Sequence, residues 1–150
     1  MAIMIAQTIQ LSLAPVFVLV AIGNIMNILT TRLGRIVDRS RHLQKLHGET
    51  AERDHDVVVI EIRYVDRRIH LIGRALLLLV MSGLAIGITV GGLFIGEMAG
   101  LELRTVTGIT FFIAIALLMI ALVYLLLETR IVARSLRMPQ ELLELERKDL

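Results

Sequence analysis

Three stretches of this chain, Met1–Thr31, Ala75–Gly96 and Thr105–Leu127, contain no Asp, Glu, Lys or Arg. A helix in water needs a polar face, whereas a helix crossing a bilayer needs about 20 predominantly apolar residues. The expected fold class is therefore all-α, an integral membrane protein with three transmembrane helices. A hydrophobic fraction of 56% and a mean hydropathy of +0.77 agree, because ordinary soluble domains are more polar. The first stretch has no basic segment before it and exceeds the apolar core of a cleavable signal, so it reads as a retained helix. The chain has no Cys, which excludes disulfides, thiolate metal sites and Cys nucleophiles. Trp is absent and Tyr occurs twice, so aromatic anchoring at the headgroups is thin.

Charge asymmetry sets the expected orientation. Arg32 to Arg74 holds ten Lys and Arg residues, and Arg130, Arg134 and Arg137 follow the third span, whereas Glu97–Arg104 has one Arg against Glu97 and Glu102. Basic residues near span ends stay on the cytoplasmic side. The expected layout is a first transmembrane helix over 1–31, a cytoplasmic helical hairpin over 32–74, a second span over 75–97, a third over 105–128, and a cytoplasmic tail over 129–150. The N-terminus is then outside. The arginines of the loop alternate with seven acids and lie close to span ends, so they read as headgroup contacts and no nucleic-acid partner is expected.

The loop carries its own pattern. Val58, Ile62, Val65, Ile69 and Ile72 follow 4-3-4-3 spacing, and Leu29, Leu33, Ile36 and Leu43 answer on the other arm, interrupted by Ser40. His47-Gly48-Glu49-Thr50 supplies the turn, with Gly48 as helix C-cap and Thr50 as N-cap. The arms are expected to run unbroken into the first and second spans, the second helix covering about Ala51 to Gly96. Matching the arm lengths moves the start of the first arm back to about Gly23. Asn24, Asn27, Thr30 and Thr31 then sit at the inner interface or in a wet vestibule. Val57, Ile60, Tyr64 and Leu71 form a second apolar stripe, expected to meet a neighbouring subunit or the segment carrying Leu142, Leu143 and Leu145.

Gly83, Gly87 and Gly91 recur every four residues, with Gly92 and Gly96 one position round. Small residues at this spacing allow close helix packing, either between subunits or inside one three-helix unit. Asn24, Asn27, Thr31, Arg35 and Asp38 share one face of the first helix, with Gln7, Gln10 and Ser12 toward the other end and the apolar Leu13–Gly23 between. Pro15 is a candidate bend. Several copies around an axis would give polar mouths with a hydrophobic constriction, lined by Asn24, Asn27, Thr31 and Arg35. The alternative is that the Asn pair bonds neighbouring helices. Arg32, Arg39 and Arg41 are candidates for lipid headgroups or a vestibule, against simple topology marking.

His47, Glu49, Glu52, Asp54, His55 and Asp56 crowd the turn without a recognised metal spacing, so a solvated tip is expected and no metal site. Glu128 reads as an interfacial residue closing the third span. No catalytic constellation is present, so no enzyme and no cofactor are expected.

Leu13-Ala14-Pro15, followed by Asn27-Ile-Leu-Thr-Thr-Arg32-Leu-Gly-Arg35-Ile-Val-Asp38-Arg39-Ser-Arg41, resembles the bacterial membrane family catalogued as domain of unknown function 2721. The resemblance implies the three-span layout in a bacterial inner membrane and marks Asn27–Arg41 as a hallmark, without assigning an activity. The expected function is a homo-oligomeric ion channel or pore lined by the first helix. The alternative is a membrane scaffold or regulatory subunit whose hairpin binds a cytoplasmic protein. The expected partners are the lipid bilayer and further copies of the chain.

Overall fold

Neither Arg32 nor Arg74 interrupts the apolar spacing of its segment, so nothing in the backbone ends a helix where the charged sequence meets the uncharged. In the computed structural model, which describes residues 2–49 and 53–135, the helices run straight through both boundaries. α1 spans Ala2–Glu49, α2 Arg53–Ala99 and α3 Arg104–Ser135. The 48 and 47 residues of α1 and α2 correspond to about 70 Å each, over twice the hydrocarbon thickness of a bilayer. All three helices contain a segment long and apolar enough to cross a membrane.

Burial repeats every seven residues. On α1 the buried positions include Pro15, Ile22, Leu29, Ile36 and Leu43. On α2 one row is Val58, Val65, Ile72, Leu79 and Ile86, and a second row of small residues is Ala75, Ser82, Thr89 and Gly96. On α3 the row is Thr107, Ala114, Ala121 and Glu128. A seven-residue repeat is the period of left-handed coiled-coil packing, which keeps one seam facing its partner along a long helix. α2 is the common partner, packing along both α1 and α3. Its bulky row shares cavities with the α1 seam, Val65 beside Ile36 and Leu79 beside Ile22.

The small row meets α3 through polar contacts. The Ser82 hydroxyl donates to the Ala114 carbonyl at 2.7 Å, and the hydroxyls of Thr89 and Thr110 lie 2.9 Å apart. Helices without bulky side chains at the seam approach closely enough for such bonds, which take over where lipid offers no hydrophobic drive. α2 ends at Ala99, and the following Gly100, with a φ of 67°, lets the Leu101 amide turn back and donate to the Gly96 carbonyl at 3.0 Å.

One expectation from spacing is corrected, and the two alternatives for the glycine stripe are narrowed. Gly48 does not cap the first arm; α1 continues through it to Glu49, because packing at Leu43 and Leu46 outweighs the modest helix penalty of one glycine. Among the described residues, Gly87 and Gly91 bring no helices together, which leaves packing between subunits as the alternative for this stripe. A Cβ at Gly87 or Gly91 would touch nothing, and at Gly83 only Leu19 Cδ1 at 3.6 Å. α3 comes close one position round, where a Cβ at Gly92 would sit 2.8 Å from Thr107 Cγ2, and a Cβ at Gly96 would sit 3.1 Å from the Leu101 carbonyl in the α2–α3 connection. Gly83 and Gly87 instead line an apolar cleft of about 700 Å³ between α1 and α2, opposite Gly23 and Leu19.

Pro15 lies inside the uninterrupted α1. Thr50, Leu142, Leu143, Leu145 and the side chains of Gln7 and Ser12 lie outside the described residues.

Candidate functional site

The α3 row of Thr107, Ala114 and Ala121 reaches Glu128 after one more heptad, so the carboxylate enters the seam where small residues have held the helices together. Glu128 has 0% exposure. A buried carboxylate requires partners, and two guanidiniums supply them. Arg68 of α2 donates from Nε at 3.0 Å and Nη2 at 2.8 Å to Oε1, and Arg32 of α1 donates from Nη1 at 3.3 Å to Oε2. One carboxylate thus joins all three helices. Its partners are only partly buried, with side-chain exposures of 46% for Arg32 and 26% for Arg68.

The sequence reading of Glu128 as an interfacial residue closing the third span gave no sign that it is buried and paired. It stands at the end of an uncharged run, where such a residue normally marks the headgroups, and its partners are 96 and 60 positions away. The available signal was its place in the seven-residue row of small α3 residues.

Above Glu128 opens a cavity of about 370 Å³ whose rim carries Arg32, Arg35, Arg39 and Arg68, with Thr129 from α3. Arg39 is held by Glu61 of α2, its Nε and Nη2 donating to Oε1 at 2.8 and 2.6 Å. Arg35 has no carboxylate partner among the described residues. Four guanidiniums are thus answered by two carboxylates. The surplus positive charge faces a cavity whose apolar wall is Ile36 and Val65.

The expected polar face of α1 lies elsewhere. Asn24, Asn27 and Thr31 are exposed, turned away from the seam of Ile22, Leu29 and Ile36. Thr30 and Thr31 donate to the Met26 and Asn27 carbonyls of their own helix at 2.8 and 3.0 Å. The side chains of Asn24 and Asn27 reach no hydrogen-bond partner among the described residues. The register fixed by Arg39 against Glu61 and Leu19 against Gly83 brings Arg74 level with about residue 27. Asn27 and Thr31 therefore stand near the level where α2 becomes charged. Arg41 is exposed and apart from the cavity.

At the far end of the hairpin the rings of His47 and His55 are 4.3 Å apart. Glu52 lies outside the described residues, and among those described no group of three or more metal-ligating side chains gathers. Val57, Ile60 and Tyr64 are exposed on the hairpin arm, and Leu71 is half-buried.

The family model described as "Protein of unknown function (DUF2721)" matches residues 12–138. The chain belongs to this family. The match takes in the arginine cavity, Glu128 and the α1 polar face together. No curated protein and no solved structure matches the chain.

Proposed function

We propose that this member of the family is a homo-oligomeric channel of the bacterial inner membrane, with α1 facing the axis of the assembly. The observation that carries the proposal is a second seam on α1, opposite the one packed on α2. Gln10, Leu13, Phe17, Val20, Asn24, Asn27 and Thr31 follow strict 3-4 spacing, and every one of them is exposed. A helix with two opposed seams has two partners, and the described residues supply only one of them. Hydrocarbon satisfies Leu13, Phe17 and Val20 but not an amide such as that of Asn24, and another copy or water is the partner that suits the whole seam. Copies meeting along this seam enclose a path that is polar at Gln10, constricted by Phe17 and Val20, and polar again from Asn24 to Thr31. The arginine surplus following the uncharged stretches of α1 and α3 supports an orientation with the hairpin in the cytoplasm and the N-terminus outside.

The test is ion flux into liposomes holding purified protein. The reading expects flux from the wild type that falls when Asn24→Leu and Asn27→Leu are combined, with assembly size kept. Wild-type liposomes as tight as empty ones overturn it.

The exposed Val57, Ile60 and Tyr64 favour a second reading, in which the hairpin docks a cytoplasmic protein and the membrane helices are its anchor. Abolished binding of a co-purifying protein in a Val57→Ser, Ile60→Ser double variant, with flux absent, would select that reading.

A further inference from the structure

We infer that the cavity above Glu128 is a binding site for a phosphate-class oxyanion, the form in which an anionic phospholipid presents its headgroup. The site is built from three helices. α1 contributes Arg32, Arg35 and Arg39, α2 contributes Arg68, and α3 contributes Thr129. Guanidiniums match phosphate oxygens as paired donors, and Arg is the residue suited to that geometry.

Three features separate this cavity from a patch of surface arginines. Arg68 and Arg32 are oriented from beneath by Glu128, and Arg39 is oriented from the side by Glu61, so three of the four guanidiniums are held before any ligand arrives. A long flexible side chain already fixed loses less entropy on binding. Arg35, which no carboxylate of the described residues engages, leaves a cationic group free for the ligand. The volume of about 370 Å³ is in the range of small-molecule sites.

The depth favours a lipid as the source. Arg32 directly follows the uncharged stretch ending at Thr31, and Thr129 stands two residues beyond the one ending at Leu127. The cavity therefore opens where hydrocarbon gives way to headgroups, and its Ile36 and Val65 wall is apolar enough for a glycerol backbone. Arg35, expected from the sequence to line the path with Asn24, Asn27 and Thr31, opens on this cavity instead, so the inference does not use the outward seam and stands or falls separately from the channel reading.

The test uses full-length protein purified in mild detergent and exchanged against defined lipid. Fluorescent phosphatidylglycerol is titrated into the wild type, Arg35→Gln and Arg63→Gln. Arg63 is an exposed hairpin arginine outside the cavity. Because Arg35 is exposed and makes no ion pair, Arg35→Gln keeps the fold, which size-exclusion chromatography verifies. Affinity is expected to fall about tenfold in Arg35→Gln and to be unchanged in Arg63→Gln. Competition with inorganic phosphate separates the sources. Displacement of the lipid by millimolar phosphate identifies an oxyanion site open to free phosphate, and failure to displace identifies a lipid headgroup site. Equal affinity of wild type and Arg35→Gln for phosphatidylglycerol, with no thermal stabilisation of either by phosphate, overturns the inference.

Discussion

Arg68 donates from both Nε and Nη2 to a single oxygen of Glu128, from the middle helix to a carboxylate with no exposure at all. The other oxygen takes Arg32, so the pair is the inner part of a contact that ties α1, α2 and α3 at one level. In a chain whose α1 and α3 pack chiefly on α2, this is where the two outer helices are joined through polar groups.

Removing one member of a buried ion pair costs more than removing both, because it strands a charge. Arg68→Ala is therefore expected to destabilise the protein by about 3 kcal/mol. Arg68→Leu combined with Glu128→Leu is expected to cost less than Arg68→Ala alone. Thermal loss of the monodisperse peak in size-exclusion chromatography measures both, and an Arg68→Ala midpoint equal to wild type would contradict the assignment.

The glycines of α2 are expected to respond oppositely to substitution. Gly92→Leu pushes a side chain into Thr107, whose own hydroxyl is fixed by the Leu103 and Arg104 carbonyls at 3.0 Å, and should cost about 1–3 kcal/mol. Gly91→Ala meets nothing inside the chain and should gain about 0.5–1 kcal/mol from helix propensity. The same thermal assay reads both, and a stabilising Gly92→Leu would refute the close approach of α2 and α3.

Ser82→Ala removes the interhelical bond to the Ala114 carbonyl while keeping the small side chain that the seam requires. The expected loss is about 0.5–1.5 kcal/mol, since interhelical hydrogen bonds in membrane proteins contribute modestly. Ser82→Leu is expected to cost more, through overpacking. An Ala variant less stable than the Leu variant would reverse that order of causes.

Much of the fold was legible in the chain. The uncharged runs located three helices each long and apolar enough to cross a membrane, and the spacing of Val58, Val65 and Ile72 against Leu29, Ile36 and Leu43 revealed the paired arms and their continuity with those runs. Both signals are local and periodic, so one sequence carries them. Glu128 was not legible as a buried group, because burial of a charge depends on partners distant in sequence. The glycine stripe announced a close approach but not its direction; inside the chain the approach of α3 falls one position round, at Gly92. Gly48 as a cap failed for a related reason, since turn chemistry competes with packing that extends past it. The arginine cavity needed all three helices in place, and the sequence offered only the density of Arg32, Arg35 and Arg39.

The claim on which the functional reading turns is that copies of the chain meet along the outward face of α1. The native chain contains no Cys, so single cysteines report proximity without background. Val20→Cys and Asn27→Cys lie on that face, and Phe112→Cys is an exposed control on α3. Treating native membranes with a short bis-maleimide is expected to yield dimers from both α1 variants and monomer from the α3 variant. Monomer from both α1 variants, or equal dimer from all three, would contradict the account.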